Sequence, residues 1–130
     1  MTNDEIRDFI KQAIDENRVM LFMKGTPNQP SCGFSARAAG ALNALGVQYA
    51  ALDILPDQRI REELSGLSGW PTIPQLFVDR ELVGGSDIII EMFESGELAE
   101  LLGVEQPEVP AEPETPEPGR RPIGLENRLD

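Results

Sequence analysis

Cys32 is the one cysteine of the chain, set in Pro30-Ser31-Cys32-Gly33-Phe34-Ser35. A thiol at the start of a helix is a candidate nucleophile or metal ligand, because unpaired N–H groups and the helix dipole favour the thiolate. Lys24, across the preceding loop, can add a positive charge. Three residues after Cys32, where a Cys-x-x-Cys pair would place a resolving thiol, stands Ser35. A hydroxyl cannot close a disulfide, so dithiol chemistry within one chain is excluded. The chain has no histidine, which removes the usual general base and the commonest neutral metal ligand. A second thiol has to come from outside.

Two other segments could present backbone to a ligand. In Trp70-Pro71-Thr72-Ile73-Pro74, two prolines three apart cannot sit inside a paired strand. Pro74 directly precedes Gln75-Leu76-Phe77 and makes a tight strand entry. Were it cis, the backbone of Ile73 would be left to pair with an extended ligand; an ordinary turn is the plainer reading. Gly84-Gly85-Ser86-Asp87 feeds a helix start whose N–H groups could meet an anion. A strand-to-helix turn with Ser86 or Asp87 as simple caps accounts for it equally well.

The elements that must position these residues can be read from periodicity. Ile6, Phe9, Ile10, Ala13 and Ile14 recur at helical spacing, with Thr2 or Asn3 as cap. Val19 to Met23 is an apolar run that fits a strand buried on both faces. Lys24 to Ser31 is a Gly/Pro/Asn/Ser loop ending at Ser31 as N-cap, and Gly33 to Leu45 reads as a helix closed by Gly46. Val47 to Ile54 is a second strand, and Pro56 opens a helix through Leu64 that Gly66 and Gly69 unwind. Leu76-Phe77-Val78 and Glu81-Leu82-Val83 flank Asp79-Arg80 as a hairpin. Ser86 caps a last helix, Ile88 to Leu102, interrupted at Gly96. Strands alternating with helices, then a hairpin and a helix, predict an α/β layered domain.

The domain is expected to span residues 1–103. In the remainder, 104–130, prolines fall every third residue from Pro107 to Pro116 among glutamates. That composition predicts a disordered acidic tail. Arg120 to Asp130 regains apolar residues and positive charge, as a docking segment would, whether for a client or for the domain itself; a solvated chain end is the bland alternative. The net charge of −12 divides into about −8 before Val104 and −4 after it. Such a surface repels phosphate backbones, so nucleic-acid binding is not expected. No apolar run of membrane-spanning length is present. The acidic N-terminal stretch is unlike a targeting peptide, and one cysteine fits a reducing, cytoplasmic setting.

Taken together, Lys24-Gly25-Thr26-Pro27, Cys32-Gly33-Phe34-Ser35, Trp70-Pro71-Thr72-Ile73-Pro74-Gln75-Leu76 and Gly84-Gly85-Ser86-Asp87 stand in the order and spacing of the monothiol glutaredoxins. The resemblance covers about residues 3 to 102. It implies a thioredoxin-like fold, a four-stranded mixed sheet flanked by helices, with a glutathione site and a labile [2Fe–2S] cluster shared between two chains. By position, Cys32 matches the cluster-ligating cysteine, which would also be the catalytic thiolate of an oxidoreductase. Lys24 matches a lysine near the glutathione carboxylate and the thiolate, and Arg61 a helix arginine on the glycine carboxylate. Ile73 matches the residue whose backbone pairs with the cysteinyl part, and Ser86 with Asp87 the pair holding the γ-glutamyl end. Many members carry cysteine where this chain has Ser86, so a disulfide between that position and Cys32 is impossible here.

Ligand arithmetic agrees with that implication. A [2Fe–2S] cluster takes four ligands, usually thiolates. Two chains supply two, and cytosolic glutathione is the abundant source of the others. The resemblance implies a homodimer bridging the cluster, a heterodimer with a BolA-type protein, and iron–sulfur apoproteins as recipients. The alternative function is a glutathione-dependent thiol–disulfide oxidoreductase that uses Cys32 to remove glutathione from mixed disulfides, with weak turnover expected.

Overall fold

The computed structural model describes residues 2–105. Residues 106–130, where the acidic tail and its basic end are expected, lie outside the described residues.

The first helix, α1 (Asn3–Glu16), opens with a reciprocal cap: Thr2 accepts from the Glu5 N–H while the Glu5 carboxylate accepts from the Thr2 N–H. Ile6, Ile10 and Ile14 form its buried stripe. Phe9, expected in that stripe, is instead 43% exposed, because it lies one helical step off the line the sheet covers. Strand β1 (Val19–Met23) is buried at every position, as the unbroken apolar run predicts. Alternation explains how. Val19, Leu21 and Met23 enter one core and Met20 and Phe22 the other, on opposite faces of the sheet.

Along the chain come α2 (Gly33–Ala44), β2 (Ala50–Asp53), α3 (Gln58–Ser68), β3 (Gln75–Val78), β4 (Glu81–Gly84), α4 (Ser86–Ser95) and α5 (Glu97–Leu102). The strands form one mixed sheet in the order β2-β1-β3-β4. Strand β1 runs parallel to β2 and antiparallel to β3, and the β3–β4 hairpin is antiparallel. Helices α1 and α3 pack together on one face and α2 and α4 on the other. Phe22 meets Phe77 edge to face at 5.7 Å in the α1/α3 core.

Several element boundaries shift, among them the end of the third helix, which runs through Gly66 to Ser68 instead of stopping at Leu64. The second strand is shorter, Ala50–Asp53, since only those residues pair with β1. The third helix starts at Gln58 with Asp57 as N-cap, its carboxylate accepting from the Arg59 N–H; Pro56 lies in the turn before it. Ser86 is the first residue of α4 rather than its cap, a position taken by Gly85. The interruption at Gly96 is present, with φ of +87° that separates α4 from α5.

Candidate functional site

The loop after β1 closes on itself. Ser31 N–H donates to Lys24 O at 2.9 Å, and Thr26 and Gln29 exchange backbone bonds. Gly25 is forced by this closure: its φ is +89° and a Cβ there would stand 2.5 Å from Gln29 O. Its N–H is held by Asp53 Oδ1 at 2.9 Å, and the same oxygen accepts from Leu55 N–H at 3.0 Å. The end of β2 therefore anchors the loop that leads to the cysteine.

Cys32 itself is the N-cap of α2, not Ser31 as the sequence suggested: its sulfur accepts from the Ser35 N–H at 3.4 Å. Ser31 is instead used through its backbone in the loop closure. Ser35 is fully buried. Its Oγ accepts from the Lys24 N–H at 3.0 Å and lies 3.4 Å from Cys32 Sγ. With that backbone donor aimed at Oγ, the Ser35 hydroxyl hydrogen is available to the sulfur. Partial desolvation, the largest single influence on Cys32, opposes ionisation. The Ser35 hydroxyl, the Ser35 and Phe34 N–H groups and the Lys24 charge together outweigh it and hold the thiol below its ordinary pKa. Cys32 is half-buried, so the sulfur is reachable.

Lys24 and Phe34, which both act on Cys32, line a cleft of about 330 Å³ together with Arg61, Thr72, Ile73, Ser86 and Asp87; Cys32 itself is not among the lining residues. Its size is at the lower end of the roughly 300–1,000 Å³ common for small-molecule sites. All five residues singled out for glutathione contact line this one cleft, although four separate segments bring them. Arg61 reaches from α3 and donates to Pro71 O at 3.3 Å. Neither Lys24 nor Arg61 has a carboxylate partner among the described residues. The Ile73–Pro74 bond is cis, and no hydrogen bond to the Ile73 backbone occurs among the described residues. At α4, Gly85 offers no side-chain cap, so first-turn N–H groups remain open to an acceptor in the cleft. Two cations and a helix N-terminus suit a ligand with separated carboxylates, and Asp87 suits an ammonium near one of them.

Residues not assigned from sequence build the frame. Gln75 is fully buried, and its Nε2 donates to Trp70 O at 2.9 Å and Thr72 O at 3.1 Å. Trp70 packs on Gly85, where a Cβ would stand 2.8 Å from the indole nitrogen. A polar residue opening an otherwise apolar strand, Gln75-Leu76-Phe77-Val78, was the available signal for Gln75. Nothing local distinguishes Ser35 or Asp53.

A mixed four-stranded sheet between helix pairs, with a half-buried cysteine capping the helix after β1 and a cis proline entering β3, defines a thioredoxin-like thiol protein. The Glutaredoxin family model matches residues 19–83. The chain is 49% identical over 102 residues to an uncharacterized monothiol glutaredoxin of Synechocystis, covering 78% of this chain and 95% of that one. It is 55% identical over 93 residues to Glutaredoxin 4 of Escherichia coli K12, covering 72% and 81%. A truncated, monomeric 1-C-Grx1 of Trypanosoma brucei superposes with a TM-score of 0.69 at 40% identity, over 76% of this chain and 93% of that one. The chain belongs to the glutaredoxin family, in its monothiol branch.

Proposed function

We propose that this protein binds glutathione in the cleft beside Cys32, and that two such complexes hold a labile [2Fe–2S] cluster and pass it to apoproteins. The observation that carries the reading is the convergence of Lys24, Arg61, Ile73, Ser86 and Asp87 on one cleft next to a cysteine whose ionised form is favoured. Lys24 and Arg61 would neutralise a carboxylate, Ile73 would pair its free backbone with the cysteinyl part, and the open turn of α4 with Asp87 would hold the γ-glutamyl end. The glutathione thiol would then lie near Cys32.

The donor set fits a shared cargo and not a resident metal. Among the described residues no group of three or more His, Cys, Asp or Glu could hold a metal ion. Each chain offers one thiolate, so four thiolate ligands call for two chains and two outside thiols. A cluster half held by a dissociable tripeptide is suited to transfer. A homodimer is the simplest assembly. A BolA-type partner would have to contribute any histidine ligand itself, since this chain has none. Reducing conditions such as the cytoplasm keep Cys32 available, and no helix among the described residues is long and apolar enough to cross a membrane.

The favoured thiolate also supports a second reading, deglutathionylation: Cys32 attacks the glutathione sulfur of a mixed disulfide, the client thiolate leaves, and a second glutathione reduces the Cys32–glutathione disulfide, releasing glutathione disulfide. Ser35 removes the dithiol route, so turnover should be slow. Calorimetric titration with glutathione, together with the anaerobic absorption spectrum of Cys32→Ser after supply of iron and sulfide, tests the proposal. Glutathione should bind both proteins, and the visible bands should vanish in the variant. Normal bands in Cys32→Ser would overturn the ligand assignment.

A further inference from the structure

Among the described residues the sheet ends at β2, which pairs there only with β1. Two open grooves meet along that edge and share Glu16, Asn17 and Ala50. One, of about 620 Å³, extends over Val19, Val47 and Tyr49; the other, of about 360 Å³, extends over Phe9, Met20 and Leu52. The exposed Phe9 is thus part of an apolar surface beside a free strand edge, the arrangement that accepts an added extended segment.

The chain leaves the domain at the mouth of this surface. Arg18, which lines the larger groove, donates to Leu102 O at 3.1 Å and Leu101 O at 3.3 Å and so pins the end of α5 there. Val104 packs against the same core cluster as Val47 and Tyr49. The Cys32 cleft is at the other end of the sheet: Lys24 comes directly after the last residue of β1, whereas Val19, its first, borders the groove.

Beyond this exit the chain continues into a stretch that a relative does not match. The Synechocystis protein is matched over 95% of its length yet takes up only 78% of this chain. Glu105, Glu108, Glu112, Glu114 and Glu117 come first, and a domain near −8 repels them. Residues 120–130 differ in kind: Ile123, Leu125 and Leu129 are apolar, and Arg120, Arg121 and Arg128 outnumber Glu126 and Asp130. Glu16, in both grooves, accepts a hydrogen bond from Gln12 but has no cationic partner among the described residues.

We propose that residues 120–130 dock on the β2-edge groove of their own chain, with Ile123 and Leu125 against the Phe9 surface and the arginines toward Glu16. Reach permits it. The 15 steps from Glu105 to Arg120 span about 20 Å as a flexible coil and about 45 Å in the polyproline-like form its prolines favour, against about 13 Å for a four-residue strand. A tether of that size gives an effective concentration on the order of millimolar. Docking at the pole opposite Cys32 leaves the cleft accessible while covering an open sheet edge.

The test is ¹⁵N NMR on the full chain, wild type against Ile123→Asp/Leu125→Asp, whose substitutions fall outside the described residues 2–105. Docking predicts amide shift changes confined to residues 9–20 and 47–52, unaltered by dilution, and a heteronuclear NOE for residues 122–129 above that of 106–118 which the double substitution abolishes. Phe9→Asp should abolish the same NOE. Unchanged groove amides in the double variant would overturn the proposal. So would changes at Lys24, Ile73 and Ser86 instead, or changes that scale with protein concentration and therefore report a second copy.

Discussion

Ser35→Ala removes one oxygen, and the structure shows what that oxygen does. Its Oγ accepts the Lys24 N–H at 3.0 Å from a fully buried position. Alanine leaves that amide without a partner, at a cost of about 1–3 kcal/mol. Lys24 is half-buried, so water can partly replace the lost acceptor and the lower part of the range is expected. For a domain of this size each kcal/mol moves Tm by about 4–8 °C, so a fall of about 5–10 °C should be seen by calorimetry. The same oxygen is 3.4 Å from Cys32 Sγ. Desolvation already acts against the thiolate, and losing the hydroxyl lets it count for more, so the Cys32 pKa should rise. The pH dependence of iodoacetamide alkylation reads this as a midpoint displaced upward. Linkage sets the sign for stability. A thiol whose folded pKa is depressed binds fewer protons folded than unfolded, so wild-type stability rises with pH from the folded pKa up to the ordinary thiol value near ~8.5. That contribution is lost as pH falls through the folded pKa, and Ser35→Ala should show less of it. A variant with the wild-type Tm and an unmoved alkylation midpoint would refute the assigned role of Ser35.

Lys24→Ala and Arg61→Ala should each weaken glutathione binding by up to about tenfold, since charge-assisted contacts of about 1.5 kcal/mol are reduced by solvent at a half-open site; titration calorimetry measures this, and Tm should hold. Gly85→Ala forces the Trp70 indole from its seat, because the new Cβ would stand 2.8 Å from Nε1 and 3.4 Å from Pro74 O. Overpacking of this kind costs about 1–3 kcal/mol, and the emission of the only tryptophan should shift with it. Thr2→Ala breaks the reciprocal cap of α1 and should cost about 1 kcal/mol in urea denaturation.

Much of the frame was legible because local pattern and tertiary role coincide. The apolar run Val19–Met23 is a central strand with a core on each side, and Asp79-Arg80 turns a hairpin with positive φ at both residues. Lys24, Ile73, Ser86 and Asp87 stand in the spaced motifs and Arg61 is matched by position alone, but only the structure brings Arg61 of α3 to the same wall as Ser86 of α4. Boundaries failed where side chains of similar capping ability compete. Ser31 is the better cap by type, yet its backbone is committed to closing the loop, which leaves Cys32 to cap α2. Pro56 and Asp57 both fit a helix start, and the carboxylate won. Phe9 has helical spacing with the core residues but lies beyond the covered stripe. Ser35 and Asp53 act over 11 and 28 residues of separation, on Lys24 and Gly25, and no pattern along the chain encodes such a bond.

Native mass spectrometry of protein supplied anaerobically with iron and sulfide shows whether a cluster is carried by two chains and two glutathione thiols. With glutathione present, a dimer carrying two iron, two sulfide and two glutathione molecules is expected, reverting to monomer when glutathione is removed. A cluster-loaded monomer, or a loaded dimer formed with no outside thiol present, would contradict it.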